Sequence, residues 1–189
     1  GNHKFLSFET TLGAIHIVRD PRNVVTSYSK HFKKTKEQSV SDITNELIIG
    51  VKSKTHPPTY VGSWNFHYNS WKQLNKSNRY MLVKYEDLLK DPEKILVDVL
   101  NFIYRLGKSN ISIDKKKLSN SITSTDFEKM QKLEKKEGFF ESKKSEKTGE
   151  SIPFFNLGKK NDWRNHLDNT LIKKIENNFE KEMLELNYL

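Results

Sequence analysis

Residues 15–28 read Ile-His-Ile-Val-Arg-Asp-Pro-Arg-Asn-Val-Val-Thr-Ser-Tyr. Ile15 to Val18 run without a formal charge, the pattern of a strand buried on both faces. Arg19 falls where that strand ends. Asp20 precedes Pro21 and is therefore pushed out of helical geometry, which makes a turn. Pro21 or Arg22 opens the helix that follows, because a fixed φ and a missing N–H cost little at a first helical position. Ser27 lies two turns into that helix. A strand running into a basic turn and then a helix suits an oxyanion: a guanidinium offers a planar fork, and a helix N-terminus adds the positive end of its dipole. A plain strand–helix turn whose Arg19 caps the helix or pairs with Asp20 would account for the same residues.

The rest of the chain is consistent with an α/β layout. A strand is expected over 14–18 and a helix over 22–34, with Val24, Val25, Tyr28 and Phe32 on one face. A second helix is expected over 41–51, then a loop at Pro57-Pro58. Trp64, Tyr68, Trp71 and Leu74 form an aromatic stripe at helical spacing. Residues 80–84 read as a short buried strand and 85–88 as a strand-end loop, in which Glu86 and Asp87 pair with lysines or cap the backbone. Asp91-Pro92 starts a helix whose apolar face carries Ile95, Leu96, Val99, Phe102, Ile103 and Leu106. Helices are expected over 114–120 and 125–137, the latter capped by Thr125 or Ser124, and over 168–186. Residues 141–151 read as a flexible charged loop. The lysines of 129–147 read as solvated surface. Two buried strands separated by helices predict a parallel sheet with right-handed crossovers.

Composition narrows the function classes. A chain of 189 residues is one domain or most of one, and can bury a core. Its net charge of +9 favours anionic partners such as nucleotides, nucleic acids or sulfated and phosphorylated substrates. With no cysteine, a disulfide framework, a thiol nucleophile and a Cys-based zinc site are all excluded. No apolar run reaches the ~18 residues of a membrane span. The chain opens at Gly1 within a loop pattern, and an N-terminal truncation is expected.

The turn at Arg19-Asp20-Pro21-Arg22-Asn23-Val24, with Ser27-Tyr28 behind it, resembles the 3′-phosphate motif of sulfotransferases that use 3′-phosphoadenosine 5′-phosphosulfate (PAPS). Further blocks follow in the same order. Gly62-Ser63-Trp64-Asn65-Phe66-His67-Tyr68-Asn69-Ser70-Trp71 fits the family's Gly-Ser-Trp-x-x-His-x-x-x-Trp. Lys84-Tyr85-Glu86-Asp87-Leu88 with Asp91-Pro92 fits its next block. Thr125-Asp126-Phe127-Glu128-Lys129-Met130 resembles its Thr-x-Phe-x-x-Met segment. Near the C-terminus Gly158, Asp162 and Trp163 match, while Asn156 and Leu157 stand where the family has Arg and Lys. Lys159 and Lys160, just after the glycine, restore charge there, or the grip rests on the Gly158 backbone.

This resemblance implies a P-loop-NTPase-like three-layer α/β fold with a central parallel sheet flanked by helices, the first strand and the P-loop lying ahead of this chain. It implies one domain over 1–189, the C-terminal two-thirds of the family's domain. The implied activity is transfer of a sulfuryl group from PAPS to a hydroxyl or amine acceptor, releasing adenosine 3′,5′-bisphosphate, with no metal. The implied nucleotide-binding residues are Arg19, Ser27, Tyr85, Thr125, Phe127, Gly158 and Lys159. His3 is the one candidate for the catalytic base; the family's Lys-Thr/Ser-His motif and its 5′-phosphosulfate loop are not matched. The expected partners are the nucleotide and a small-molecule acceptor, with no nucleic acid and a cytoplasmic location. The competing reading is a non-catalytic basic domain that binds nucleotides or nucleic acid.

Overall fold

A computed structural model of the chain describes residues 11–45, 61–140, 142–144 and 151–189. His3, the Pro57-Pro58 loop, residues 46–51 of the expected second helix and most of the 141–151 loop lie outside these residues. The chain divides into two compact units that interleave in sequence. One comprises residues 1–19 and 66–120, the other 20–65 and 121–189.

The first unit is built on a parallel strand pair, β1 (Ala14–Val18) and β2 (Tyr80–Lys84), in the register Ala14↔Tyr80 through Val18↔Lys84. His16 and Val18 occupy the buried face of β1. Ile15 and Ile17 point the other way and stay 38% and 56% exposed. The strand is therefore buried on one face among the described residues, not on two as its uncharged run suggested, because successive side chains alternate across the sheet. Residues 85–88, expected as a loop, instead open helix α4 (Tyr85–Lys90). Glu86 and Asp87 in its first turn and Lys90 in its last suit the helix dipole. Asp91 then caps α5 (Pro92–Leu106) by accepting from the Lys94 amide at 3.0 Å. Of its expected apolar face, Phe102 is buried and Ile103 is 44% exposed.

His16 is buried in this unit. Its ring lies 5.1 Å from that of His67, which stands on helix α3 (Trp64–Lys72), and its Nδ1 is 2.9 Å from the Tyr80 hydroxyl. Trp71 donates its indole N–H to His67 Nε2 at 3.1 Å. An indole nitrogen can only donate, so His67 carries its proton on Nδ1 and is neutral. Burial, and secondarily the neighbouring His67, lower the His16 pKa to about 4; burial also lowers that of His67. An imidazole that resists protonation when folded contributes stability that is complete above its unfolded pKa of 6.5 and is lost as pH falls from there toward 4. The expected loss between pH 7.5 and 5.5 is about 1 kcal/mol, at a limiting ~1.4 kcal/mol per pH unit for one proton. Urea midpoints at the two values test this. A His16→Gln variant that keeps the wild-type pH dependence would locate the effect elsewhere.

The second unit has a helical core. Asp20 has φ −46° and ψ 120°, as a residue before proline must, and its carboxylate caps α1 (Pro21–His31) by accepting from the Arg22 amide. Thr35 and Gln38 form a reciprocal capping box on α2 (Lys36–Thr44). Asp168 caps α8 (Asn169–Glu185). Val25 from α1, Val40 and Ile43 from α2, and Leu171, Ile175, Phe179 and Met183 from α8 make one buried cluster, with Trp64 packed against Phe179 at 5.1 Å. Ile175 and Phe179 are essentially inaccessible to solvent, each worth roughly 1.5–3 kcal/mol of burial. The buried face of α1 is Val25, Thr26 and Ser29, whereas Phe32 is 37% exposed. The polar members are buried because Asn161 and backbone carbonyls satisfy them.

Helix α6 (Lys115–Ser124) continues to Ser124, and α7 (Phe127–Glu137) is capped by Asp126 rather than by Thr125 or Ser124. Asp126 accepts from the Glu128 and Lys129 amides, and Gly138, at φ +77°, ends the helix. The antiparallel pair β3 (Lys143–Lys144) and β4 (Ser151–Ile152) follows it. No helix among the described residues is long and apolar enough to cross a membrane.

Candidate functional site

Arg19 and Tyr85 are the residues that immediately follow the two parallel strands. The register pairs Val18 with Lys84, so the next residue of each strand emerges at the same, carboxyl-terminal edge. That edge is where open α/β sheets hold their ligands. The Arg19 guanidinium carbon lies 4.3 Å from the centroid of the Tyr85 ring. Both side chains are partly buried. Such a contact between cation and π-face contributes roughly 0.5–2 kcal/mol.

In the other unit, Phe127 and Gly158 meet. Gly158 has φ +51°, and a Cβ built on it would stand 2.5 Å from Phe127 Cε1. The Gly158 backbone thus lies directly against the ring, at a distance only glycine allows. A 3-10 turn, Gly158–Lys160, follows, with Lys159 exposed. Its backbone bonds run from the Lys160 amide to Leu157 and from the Asn161 amide to Gly158; the amides of Gly158 and Lys159 take no part in them.

Buried polar bonds tie the segment after this turn to α1. The Thr26 hydroxyl is 2.6 Å from Asn161 Oδ1, the Asn161 amide group donates to the Asn23 carbonyl at 3.1 Å, and the Trp163 amide donates to Asn23 Oδ1 at 3.0 Å. Ser27 neighbours Thr26 on the exposed side of α1. Thr125 is exposed and donates its hydroxyl to the Ser121 carbonyl at 2.8 Å.

The segment before the turn is held by α7. Glu134 is buried, and its carboxylate accepts from the Phe154 amide at 2.6 Å, the Phe155 amide at 3.0 Å and the Ser142 hydroxyl. Burial alone would raise its pKa, but these bonds outweigh burial and hold the carboxyl below its usual range. Gln131 donates to the carbonyls of Phe155 at 2.8 Å and Asn156 at 3.0 Å. Sequence reasoning assigned this lysine-rich stretch to solvated surface and so missed both residues. The available signal was spacing: Phe127, Met130, Gln131 and Glu134 follow the i, i+3, i+4, i+7 pattern of one helix face.

The Arg22 guanidinium is engaged by protein groups. Its Nε and Nη2 reach Asp20 at 3.0 and 2.8 Å, Nη1 reaches Glu176 at 2.6 Å, and Nη2 also reaches the Tyr188 carbonyl at 2.7 Å. Its guanidinium also lies 4.2 Å from the Trp163 ring centroid. The Asp20 carboxylate thus holds Arg22 through a bidentate fork, and the turn is pinned to α8 and the C-terminal residues.

Residues 6–187 match the family model for the sulfotransferase domain. Sulfotransferase 1E1 of Rattus norvegicus is 25% identical over 182 residues, which cover 93% of this chain and 56% of the relative. The flavonol 3-sulfotransferase of Flaveria bidentis is 25% identical over 172 residues, covering 86% of this chain and 52% of that protein. The chain therefore spans about half the length of these curated relatives. Among solved structures, mouse sulfotransferase SULT7A1 complexed with PAP superposes with a TM-score of 0.58 at 19% identity, over 90% of this chain and 58% of that one. Retinol dehydratase in complex with androsterone and inactive cofactor PAP gives 0.62 at 16% identity, over 90% and 47%. These likenesses establish the α/β fold.

Proposed function

The chain belongs to the sulfotransferase domain family, and on that premise we propose that it serves the transfer of a sulfuryl group from PAPS to a hydroxyl or amine acceptor, supplying the groups that hold the donor's 3′-phosphate and adenine. The observation that carries this reading is the Arg19–Tyr85 contact at the carboxyl edge of the parallel strands. Two residues far apart in sequence, each singled out by its motif, meet where ligands of such sheets bind.

The assigned roles follow from chemistry. Arg19 offers its fork to the 3′-phosphate, and Ser27 of α1 adds a hydroxyl donor. Tyr85 orients that guanidinium. Phe127 presents a half-buried ring to the adenine, where stacking is worth roughly 1–3 kcal/mol. Gly158 allows close approach of backbone to phosphate, Lys159 adds charge, and Thr125 serves the adenine side. Sulfuryl transfer moves an SO₃-like group in line from a phosphate to the acceptor, whose proton passes to a base. Such chemistry depends on positioning and on stabilising the leaving phosphate. The residues assigned here position the donor.

Calorimetric titration with adenosine 3′,5′-bisphosphate beside adenosine 5′-monophosphate tests the assignment. The bisphosphate is expected to bind more tightly, and Arg19→Ala to weaken it by about tenfold to a hundredfold, the worth of a charged hydrogen bond. Equal affinity for the two nucleotides would refute the reading. Salt adds a second discrimination, because a nucleic-acid binder loses affinity steeply with salt whereas a single-nucleotide site responds modestly.

A further inference from the structure

We propose that Glu134, together with Gln131, is a positioning residue for the 3′-phosphate: the two side chains fix the backbone of residues 154–156 so that the turn at Gly158 presents its amides to that phosphate. The inference rests on the nucleotide-binding role proposed for Gly158.

Glu134 and Gln131 stand three residues apart on α7, and therefore on one face of the helix. Glu134 accepts from two consecutive amides, those of Phe154 and Phe155. Gln131 donates to two consecutive carbonyls, those of Phe155 and Asn156. Four backbone groups on three successive residues are thus held by side chains of a single helix. The same helix carries Phe127, whose ring lies against Gly158. One rigid element therefore fixes the approach to the turn and the turn itself.

Such a device has a reason to exist in this sequence. Asn156 and Leu157 replace the basic pair that the family carries before the glycine. Neither neutral side chain supplies the cation of a phosphate grip. The remaining local donors are backbone amides and the side chains of Lys159 and Lys160, and amides act on an anion only where the backbone is preorganised. The buried carboxylate also has a structural signature of its own. Both oxygens accept, so an isosteric carboxamide cannot replace it: its NH₂ would face an amide N–H.

The test compares the bisphosphate with adenosine 5′-monophosphate in the 189-residue chain, so that the readout is the increment contributed by the 3′-phosphate. Glu134→Gln is expected to reduce bisphosphate affinity about tenfold while 5′-monophosphate affinity changes less than about twofold. Gln131→Met, which keeps bulk and helix propensity but donates nothing, is expected to reduce the same increment about threefold to fivefold. Because it disturbs no buried charge, it decides the matter if Glu134→Gln does not fold. Folded variants that keep the full wild-type increment would overturn the positioning role and leave the nucleotide site standing. A wild-type chain that shows no increment would overturn both.

Discussion

Replacing Arg22 by alanine is expected to destabilise the chain by about 3–5 kcal/mol, the cost of removing one partner from a buried ion pair. The Arg22 and Asp20 side chains are only 7% and 9% exposed. Truncating the arginine leaves the Asp20 carboxylate buried beside Pro21 without the three guanidinium bonds it receives, and leaves Glu176 and the Tyr188 carbonyl without theirs. Glu176, at 27% exposed, recovers part of its loss from water; Asp20 does not. The stacking of the guanidinium over Trp163 is lost as well. Arg22→Lys keeps the charge but not the fork, and is expected to recover less than half of the loss, because an ammonium is a point donor that cannot reproduce bidentate geometry. Denaturant midpoints with an unchanged m-value would report this directly. A stable Arg22→Ala chain with weakened bisphosphate binding would mean instead that Arg22 reaches the ligand.

The contrast between the two arginines marks the limit of what the sequence could say. Arg19 and Arg22 flank one turn, and a guanidinium at either position carries the same planar fork. Position relative to the strand separates them: Arg19 leaves β1 in register with Tyr85, whereas Arg22 lies in the first turn of α1 and turns back on its own capping residue. Strand β1 was legible to the residue because an uncharged run ended by Asp-Pro admits few alternatives. The start of α1 was legible for the same reason. Helix α4 was not, because Tyr-Glu-Asp-Leu-Leu-Lys is short and its amphipathic period spans barely more than one turn. Asp126 displaced Thr125 and Ser124 as the cap of α7 because only its carboxylate reaches two orphan amides. Glu134 was the least legible of all. A carboxylate among lysines looks solvated, and what buries it is a backbone segment that returns from residues 153–156, a long-range event that no local period records.

Gly158→Ala is expected to cost about 2–5 kcal/mol, from two causes that can be separated. The first is conformational: at φ +51° an L-residue loses roughly 1–2 kcal/mol relative to glycine. The second is steric: the new methyl would sit 2.5, 2.6 and 2.7 Å from three atoms of the Phe127 ring, and overpacking of this kind costs typically 1–3 kcal/mol. The ring has little room to give, since it also meets Phe155 edge-on at 6.1 Å, and Phe155 is itself held by Gln131 and Glu134. A double-mutant cycle with Phe127→Ala separates the two causes. In the Phe127→Ala background the methyl has space, so Gly158→Ala should cost only the conformational part, and the coupling between the sites should exceed about 1 kcal/mol. Thermal or urea denaturation of the four chains measures it. A cost unchanged by removal of the ring would show that backbone conformation alone demands glycine there, and that the close seat of Gly158 on Phe127 adds nothing to the stability of the turn.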